Sequence, residues 1–305
     1  MPDFIHKIIS KSNKSLPDIT CQTIFILCFI GLPFTGISQN LHVFSVVQSK
    51  EAARPDRLLD ADRINDLSTD IAAYAGFTRY FYDLGEGDAF NPVTLKQTIQ
   101  KLRFSVCNQD VVWIHFSGYG RNDDETIYPA LKMGGSEIYL RDIIAMLRTK
   151  KPKIILISID SGNEKKPAKE FSNQVSDQST EVQVSGSPLV RIVKPLVSNP
   201  IPREMGAYHQ LENYGRLFKN FEGTKVIIFQ SNSIGENAIS NVVDGSYGLF
   251  CLEKCLREAI NNKDVSADWM TIKENYVKYV SGKSKNRQNP KVTIEVPLDK
   301  CKENE

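Results

Sequence analysis

The sequence predicts an α/β protein, a three-layer α-β-α sandwich on a mostly parallel, six-stranded sheet. Three observations predict it. Short apolar runs, of which Lys153–Ile159 (KIILISI) is the most hydrophobic, alternate with segments whose apolar residues recur at helical spacing. Strands apolar along their whole length need helices over both sheet faces, as parallel βαβ units provide. The 305 residues, 41% hydrophobic and 24% charged, are enough chain for a substantial core.

The elements follow in order. His42–Val47 (HVFSVV) is the first strand. Asp60 is placed to cap a helix carrying Ile64, Leu67, Ile71 and Tyr74 on one face, and Gly76 to end it. Phe77–Tyr82 is the second strand. Thr94 opens the next helix, with Gln97 completing a capping box and Leu95, Ile99 and Leu102 facing inward. Val111–Phe116 is a strand, and a short hairpin-like stretch follows it. The helix Leu140–Leu147 then turns Leu140, Ile143, Ile144 and Leu147 to the core. Lys153–Ile159 and Thr224–Phe229 are strands, Leu249–Ile260 and Trp269–Val280 are helices, and Lys291–Val296 is the closing strand. The rhythm lapses at about 164–207. Asn163–Val184 is polar and Ser185–Pro202 carries four prolines, so this insertion is expected to be disordered, a lid or a processing site.

Thr23–Ile37 is apolar and uncharged, follows Lys7, Lys11 and Lys14, and ends near the small residues Gly36 and Ser38. Residues 1–38 are therefore expected to be a secretory signal, with an uncleaved anchor or a buried segment as the alternatives. The run falls short of the roughly 20 residues of a membrane span and Pro33 interrupts it. A secreted or periplasmic product with no stable membrane span after cleavage is the expectation. The net charge of +2 comes from scattered Lys and Arg, which excludes a nucleic-acid footprint. Four histidines and six cysteines without a CxxC pair leave no zinc or redox motif, and no cofactor is expected. Cys251 and Cys255, four apart on a helix, are poorly placed to bridge each other.

Two strand ends are candidate site loops, because ligands of parallel sheets collect at the carboxyl ends of strands. One is Ser117-Gly118-Tyr119-Gly120 and the other is Asp160-Ser161-Gly162-Asn163. Gly, Asn and Asp also serve ordinary turns, which is the competing reading of each.

Together, HFSGYG and ISIDSGN resemble the caspase-like cysteine peptidases, in particular the metacaspase branch. That family has Ser-Gly-His-Gly after one strand, the histidine being the general base, and Asp-Ala-Cys or Asp-Ser-Cys after another, the cysteine being the nucleophile. The resemblance extends to DADRINDLSTDIAAYAGF (Asp60–Phe77), Asn91-Pro92-Val93-Thr94, VIIFQSNSIGENAIS (Val226–Ser240), GSYGLFCLEKCLREAI and NRQNPKVTI (Asn286–Ile294), and implies a caspase-like domain over 41–300. It departs from the family where the chemistry lies, with Tyr119 at the histidine position and Gly162 at the cysteine position. Glycine has no nucleophile, and a phenol of pKa near 10 is a poor base at neutral pH. The resemblance therefore implies a catalytically inactive protein that binds a peptide or protein ligand in a degenerate groove, with Ser117, Gly118 and Gly120 as its substrate-binding residues. The alternative is a hydrolase using a noncanonical residue such as Ser161, with Asp160 as a participant. His115 shares a strand face with Trp113 and is expected to pack beside the sheet rather than stand at its end. Some metacaspases respond to calcium, and Asp123, Asp124 and Glu125 form an acidic run that would suit it, although such runs are commonly just solvated.

Overall fold

The computed structural model describes residues 39–48, 55–85, 89–104, 109–122, 128–165, 191–196, 208–219 and 223–295. The chain divides into two units, Met1–Ile37 and Ser38–Glu305, and the described residues all belong to the second. The expected signal segment, Cys107 and the acidic run at 123–125 lie outside the described residues. Among the described residues no helix is long and apolar enough to cross a membrane.

The elements are β1 (Gln39–Val47), α1 (Pro55–Ala75), β2 (Phe77–Asp83), α2 (Pro92–Lys101), β3 (Val111–Asn122), β4 (Ala130–Met133), β5 (Ser136–Tyr139), α3 (Leu140–Thr149), β6 (Ile154–Lys165), β7 (Arg191–Leu196), α4 (Tyr208–Phe218), β8 (Lys225–Gln230), β9 (Ser240–Asn241), β10 (Gly245–Ser246), α5 (Tyr247–Asn261), α6 (Trp269–Lys283) and β11 (Lys291–Glu295). The main sheet runs β11-β8-β6-β3-β1-β2-β7. Its five central strands are parallel, and β11 and β7 close the two edges antiparallel. The β4–β5 hairpin extends β3, so the sheet has nine strands rather than the six expected.

Alternating strand residues build two cores. Leu41, Val43, Trp113, Leu156, Ile227 and Phe229 pack beneath α1, α4, α5 and α6. Phe44, Ile114, Phe116, Ile157 and Ile228 pack beneath α2 and α3. Each fully buried large side chain contributes about 1.5–3 kcal/mol, so the three layers follow from the apolar strands themselves.

Several local expectations are corrected. The first helix starts at Pro55, which places Asp60 inside α1 rather than at its cap. The second starts at Pro92. Asn91 caps it, its Oδ1 accepting from Thr94 N at 2.8 Å, so Thr94 lies one turn in. Residues 191–196, inside the polar insertion, form the edge strand β7, while 166–190 and 197–207 lie outside the described residues. Proline is confined to such edges because it cannot donate to a ladder, and the β2–β7 register shifts between Arg79 and Phe81, opposite Lys194-Pro195.

The unexpected helix α4 is held by Asn213, which is buried. Its Nδ2 donates to the carbonyls of Ile260 and Asn262 at 3.1 and 3.0 Å, and its Oδ1 accepts from Ala267 N at 3.1 Å. Asn213→Ala leaves these buried groups unpaired and is expected to cost about 2 kcal/mol, read as a lower urea-unfolding midpoint with an unchanged slope.

Candidate functional site

The chain steps from β1 outward to β2 and then crosses to β3 on the other side, so the strand order reverses at the β1–β3 boundary. In parallel sheets such a reversal opens a crevice at the carboxyl ends of the two strands. The end of β3 borders this crevice, and the end of β6 pairs with it on the other side, so that the two candidate stretches form one ladder. Ser117 pairs with Asp160, Gly118 with Ser161, Tyr119 with Gly162, and Gly120 with Asn163. Neither stretch is a turn. Both strands continue through it because each finds its partner in the other, so the turn reading is corrected.

Alternation separates the ladder into two faces. Gly118, Gly120 and Ser161 lie on the α2–α3 face. A Cβ on Gly118 would stand 2.9 Å from the Phe116 ring, and one on Gly120 would stand 2.6 Å from Ser161 Oγ. These glycines make room for neighbouring side chains. Ser161 is buried and its Oγ has no hydrogen-bond partner, so no base stands within reach of it.

Ser117, Tyr119, Asp160 and Gly162 face α1 and α5. Tyr119 is 41% exposed, with the Arg57 guanidinium 5.0 Å from its ring centroid. The Arg57 Nη1 donates to the carbonyl and Oε1 of Gln48, both at 3.1 Å. Tyr119 does not fill the place of a side chain at 162, where a Cβ would meet Asn237 Oδ1 alone, at 3.2 Å. Gly162 also lacks a positive φ, so its backbone demands no glycine. Gly162→Ala is accordingly expected to keep stability within about 1 kcal/mol of the parent, checked by thermal unfolding.

Asp160 is buried and turned inward. Its Oδ2 accepts from Leu249 N at 2.7 Å, in the first turn of α5, and lies 2.7 Å from Ser246 Oγ. A carboxylate at a helix N-terminus satisfies donors that have no partner within the helix. The Ser246 side chain makes no capping bond of its own, so Asp160 does this from the sheet. Asp60, wholly buried, accepts from Ser117 Oγ at 2.8 Å and from Ser246 N at 2.9 Å. Burial first, and then the charge of Asp160, push the Asp60 carboxyl up to about 7, and burial also raises Asp160. Asp60 was missed as a site residue. Its signal was its position in the stripe of Ile64, Leu67 and Ile71, where a cap would not fall.

His115 packs beside Trp113 within the sheet. Its Nδ1 lies 2.9 Å from Ser158 Oγ, which also accepts from Trp113 Nε1 at 3.1 Å. This Ser–His contact is sealed. Both residues are buried, and His115 Nε2 has no partner to orient it. Burial drives the His115 pKa down to about 3, leaving it neutral.

Among the described residues no group of three or more His, Cys, Asp or Glu is arranged to hold a metal ion. Cys251 and Cys255 are free and buried in α5. Burial, followed by the charge of Asp160 for Cys251 and by Cys251 for Cys255, pushes both thiols up to about 12, which makes them poor nucleophiles. A shallow cavity of about 380 Å³ lies elsewhere on α5, lined by Phe250, Glu253, Lys254, Arg257, Glu258 and Asn261.

No family model matches this chain, and no curated protein matches it. Among solved structures it is similar to caspase-1 from Spodoptera frugiperda, at 12% identity over 86% of this chain and 90% of that chain, with a TM-score of 0.45. This is a weak, partial likeness to a caspase fold.

Proposed function

We propose that this chain is a catalytically inactive caspase-like protein that acts by binding a peptide or protein segment at the Tyr119–Gly162 ladder. One observation carries the reading. The hydroxyl next in sequence to position 162, that of Ser161, is buried on the opposite sheet face with no partner, and the histidine on the adjoining strand is sealed against Ser158. Acyl transfer needs a nucleophile and a base in contact, with room for a substrate beside them. The exposed face instead offers the ring of Tyr119, backed by the buried Arg57 guanidinium, an aromatic group suited to holding a ligand.

The test is a peptidase assay on the purified protein, with and without calcium, over peptides bearing Arg, Lys or Asp at the cleavage position. No turnover above buffer is expected. Turnover that Ser161→Ala abolishes would establish the hydrolase alternative instead. In a peptide-array binding assay, Tyr119→Ala is expected to weaken retained peptides at least tenfold while leaving the unfolding midpoint in place. Secretion is proposed from residues 1–38, and N-terminal sequencing of the exported protein should find a start near residue 39.

A further inference from the structure

Three oxygens stand in a row inside the molecule. Asp60 Oδ1 and Ser246 Oγ are 3.0 Å apart, and Ser246 Oγ and Asp160 Oδ2 are 2.7 Å apart. Both gaps are hydrogen-bond distances between oxygens, and a proton in each avoids setting lone pairs against each other. The serine hydroxyl has one to give. The other donors at these carboxyls come from Ser117 Oγ and Ser246 N at Asp60, and from Leu249 N, the Ser231 hydroxyl and Gly248 N at Asp160, and none of them lies between the serine oxygen and either carboxyl. The second proton therefore belongs to a carboxyl. Without it, two carboxylates face each other across a serine at a site where Asp60 is 0% and Asp160 4% exposed.

No neighbouring group removes this requirement. From α1, Arg63 Nη1 forms a long ion pair with Asp60 Oδ1 at 4.0 Å but donates it no hydrogen bond. Its own bonds go to Glu253 Oε2 and the Asp244 carbonyl, both at 2.6 Å. Asp56 accepts from Ser240 Oγ at 2.5 Å, and Arg57 is turned to Gln48. From β3 the nearby titratable group is the neutral His115. From α5 it is the Cys251 thiol, and from α6 it is Tyr276, whose charged forms are disfavoured by burial. Lys283 of α6 donates to Asp244 Oδ2 at 3.0 Å.

We propose that Asp60 and Asp160 hold one proton between them in the folded protein, and that this proton fastens the β9–β10 hairpin and the first turn of α5 to α1 and β6, so that the fastening loosens as pH rises. The clasp joins three stretches that are remote in sequence, α1, β6 and the junction of β10 with α5. It lies directly under the candidate site, because Ser117 is two residues before Tyr119 and Asp160 two before Gly162. It rests on hydrogen-bond geometry alone and stands whether or not the ladder binds a peptide. The raised carboxyl values agree with it. A buried acid whose folded pKa lies above its unfolded value contributes stability that is complete below the unfolded value of 3.8 and is lost as pH rises through about 7.

Two measurements on the full chain test the clasp. Infrared spectroscopy in D₂O near pH 6, where ordinary carboxyls are ionised, is expected to show a protonated-carboxyl band that disappears in Asp60→Asn and above about pH 8. Hydrogen exchange is expected to show protection at the amides of Ser246 and Leu249 falling about tenfold between pH 5.5 and 8, relative to core amides of Val112 and Ile114. Tenfold is the equivalent of one pK unit. Asp60→Asn, which carries no titrating proton, is expected to hold that ratio constant. A wild-type protein with no protonated carboxyl near pH 6, or with a pH-independent protection ratio, would overturn the proposal even if the variant fails to fold.

Discussion

Gly248→Ala is expected to destabilise the fold by about 3 kcal/mol or more, the opposite of what a glycine-to-alanine change does inside most helices. Gly248 lies in the first turn of α5 with an ordinary negative φ, so its backbone would accept alanine without strain. The obstacle is space. The new Cβ would stand 2.1 Å from Asp160 Oδ1 and 2.6 Å from Ser231 Cβ. Asp160 cannot swing away cheaply, because its other oxygen receives Leu249 N and contacts Ser246. Overpacking costs about 1–3 kcal/mol, and each buried group left unpaired costs about as much again. Gly215→Ala in α4 is the matched control. Its Cβ would meet nothing within 4 Å, so it is expected to stabilise by up to about 1 kcal/mol. Urea-unfolding midpoints of the two variants should move in opposite directions. A Gly248→Ala protein as stable as its parent would mean that Asp160 does not hold α5.

Acidification is expected to draw a large loss of stability through His115. Its folded pKa of about 3 lies below the unfolded 6.5, so between those values the unfolded chain binds the extra proton. The stability His115 contributes is complete above 6.5 and is lost as pH falls toward 3, at about 1.4 kcal/mol per pH unit, or about 3 kcal/mol by pH 4. His115→Phe keeps a buried ring and removes the proton. It should be weaker than wild type at pH 7, having lost the Ser158 bond, yet free of the acid penalty. The Asp60–Asp160 clasp has the opposite sign over the same range. Urea midpoints from pH 4 to 7 should therefore rise toward acid in His115→Phe and fall toward acid in Asp60→Asn. Wild type, carrying both terms, should lie between them. Parallel profiles for His115→Phe and wild type would show that His115 does not titrate across this range.

Much of the architecture was legible in the chain. All six expected strands are present, because a run such as KIILISI has no other way to bury both of its faces. The two glycine-containing stretches were recognisable as neighbours at one end of the sheet. Their form was not. SGYG and DSGN have the composition of turns, and only the pairing of β3 with β6, residue by residue through Asn122 and Lys165, extends them as strands. The edge strand β7 was hidden by Pro195, since its formation depends on where β2 ends the sheet rather than on its own composition. The short helix α4, which directly follows the insertion, was also hidden, and its anchor Asn213 bonds to carbonyls more than forty residues away.

Local pattern alone determined the layered α/β class, the sheet direction and the absence of a histidine and a cysteine at positions 119 and 162, because periodicity and residue identity are written along the chain. Tertiary structure alone decided what stands around those positions. It placed Tyr119 in the open beside Arg57, buried Ser161 on the far face, and brought Asp60 and Asp160 against the single hydroxyl of Ser246. Carboxyls one hundred residues apart carry no mark of each other in sequence. Their shared proton follows from the distance between them and the water that folding removes.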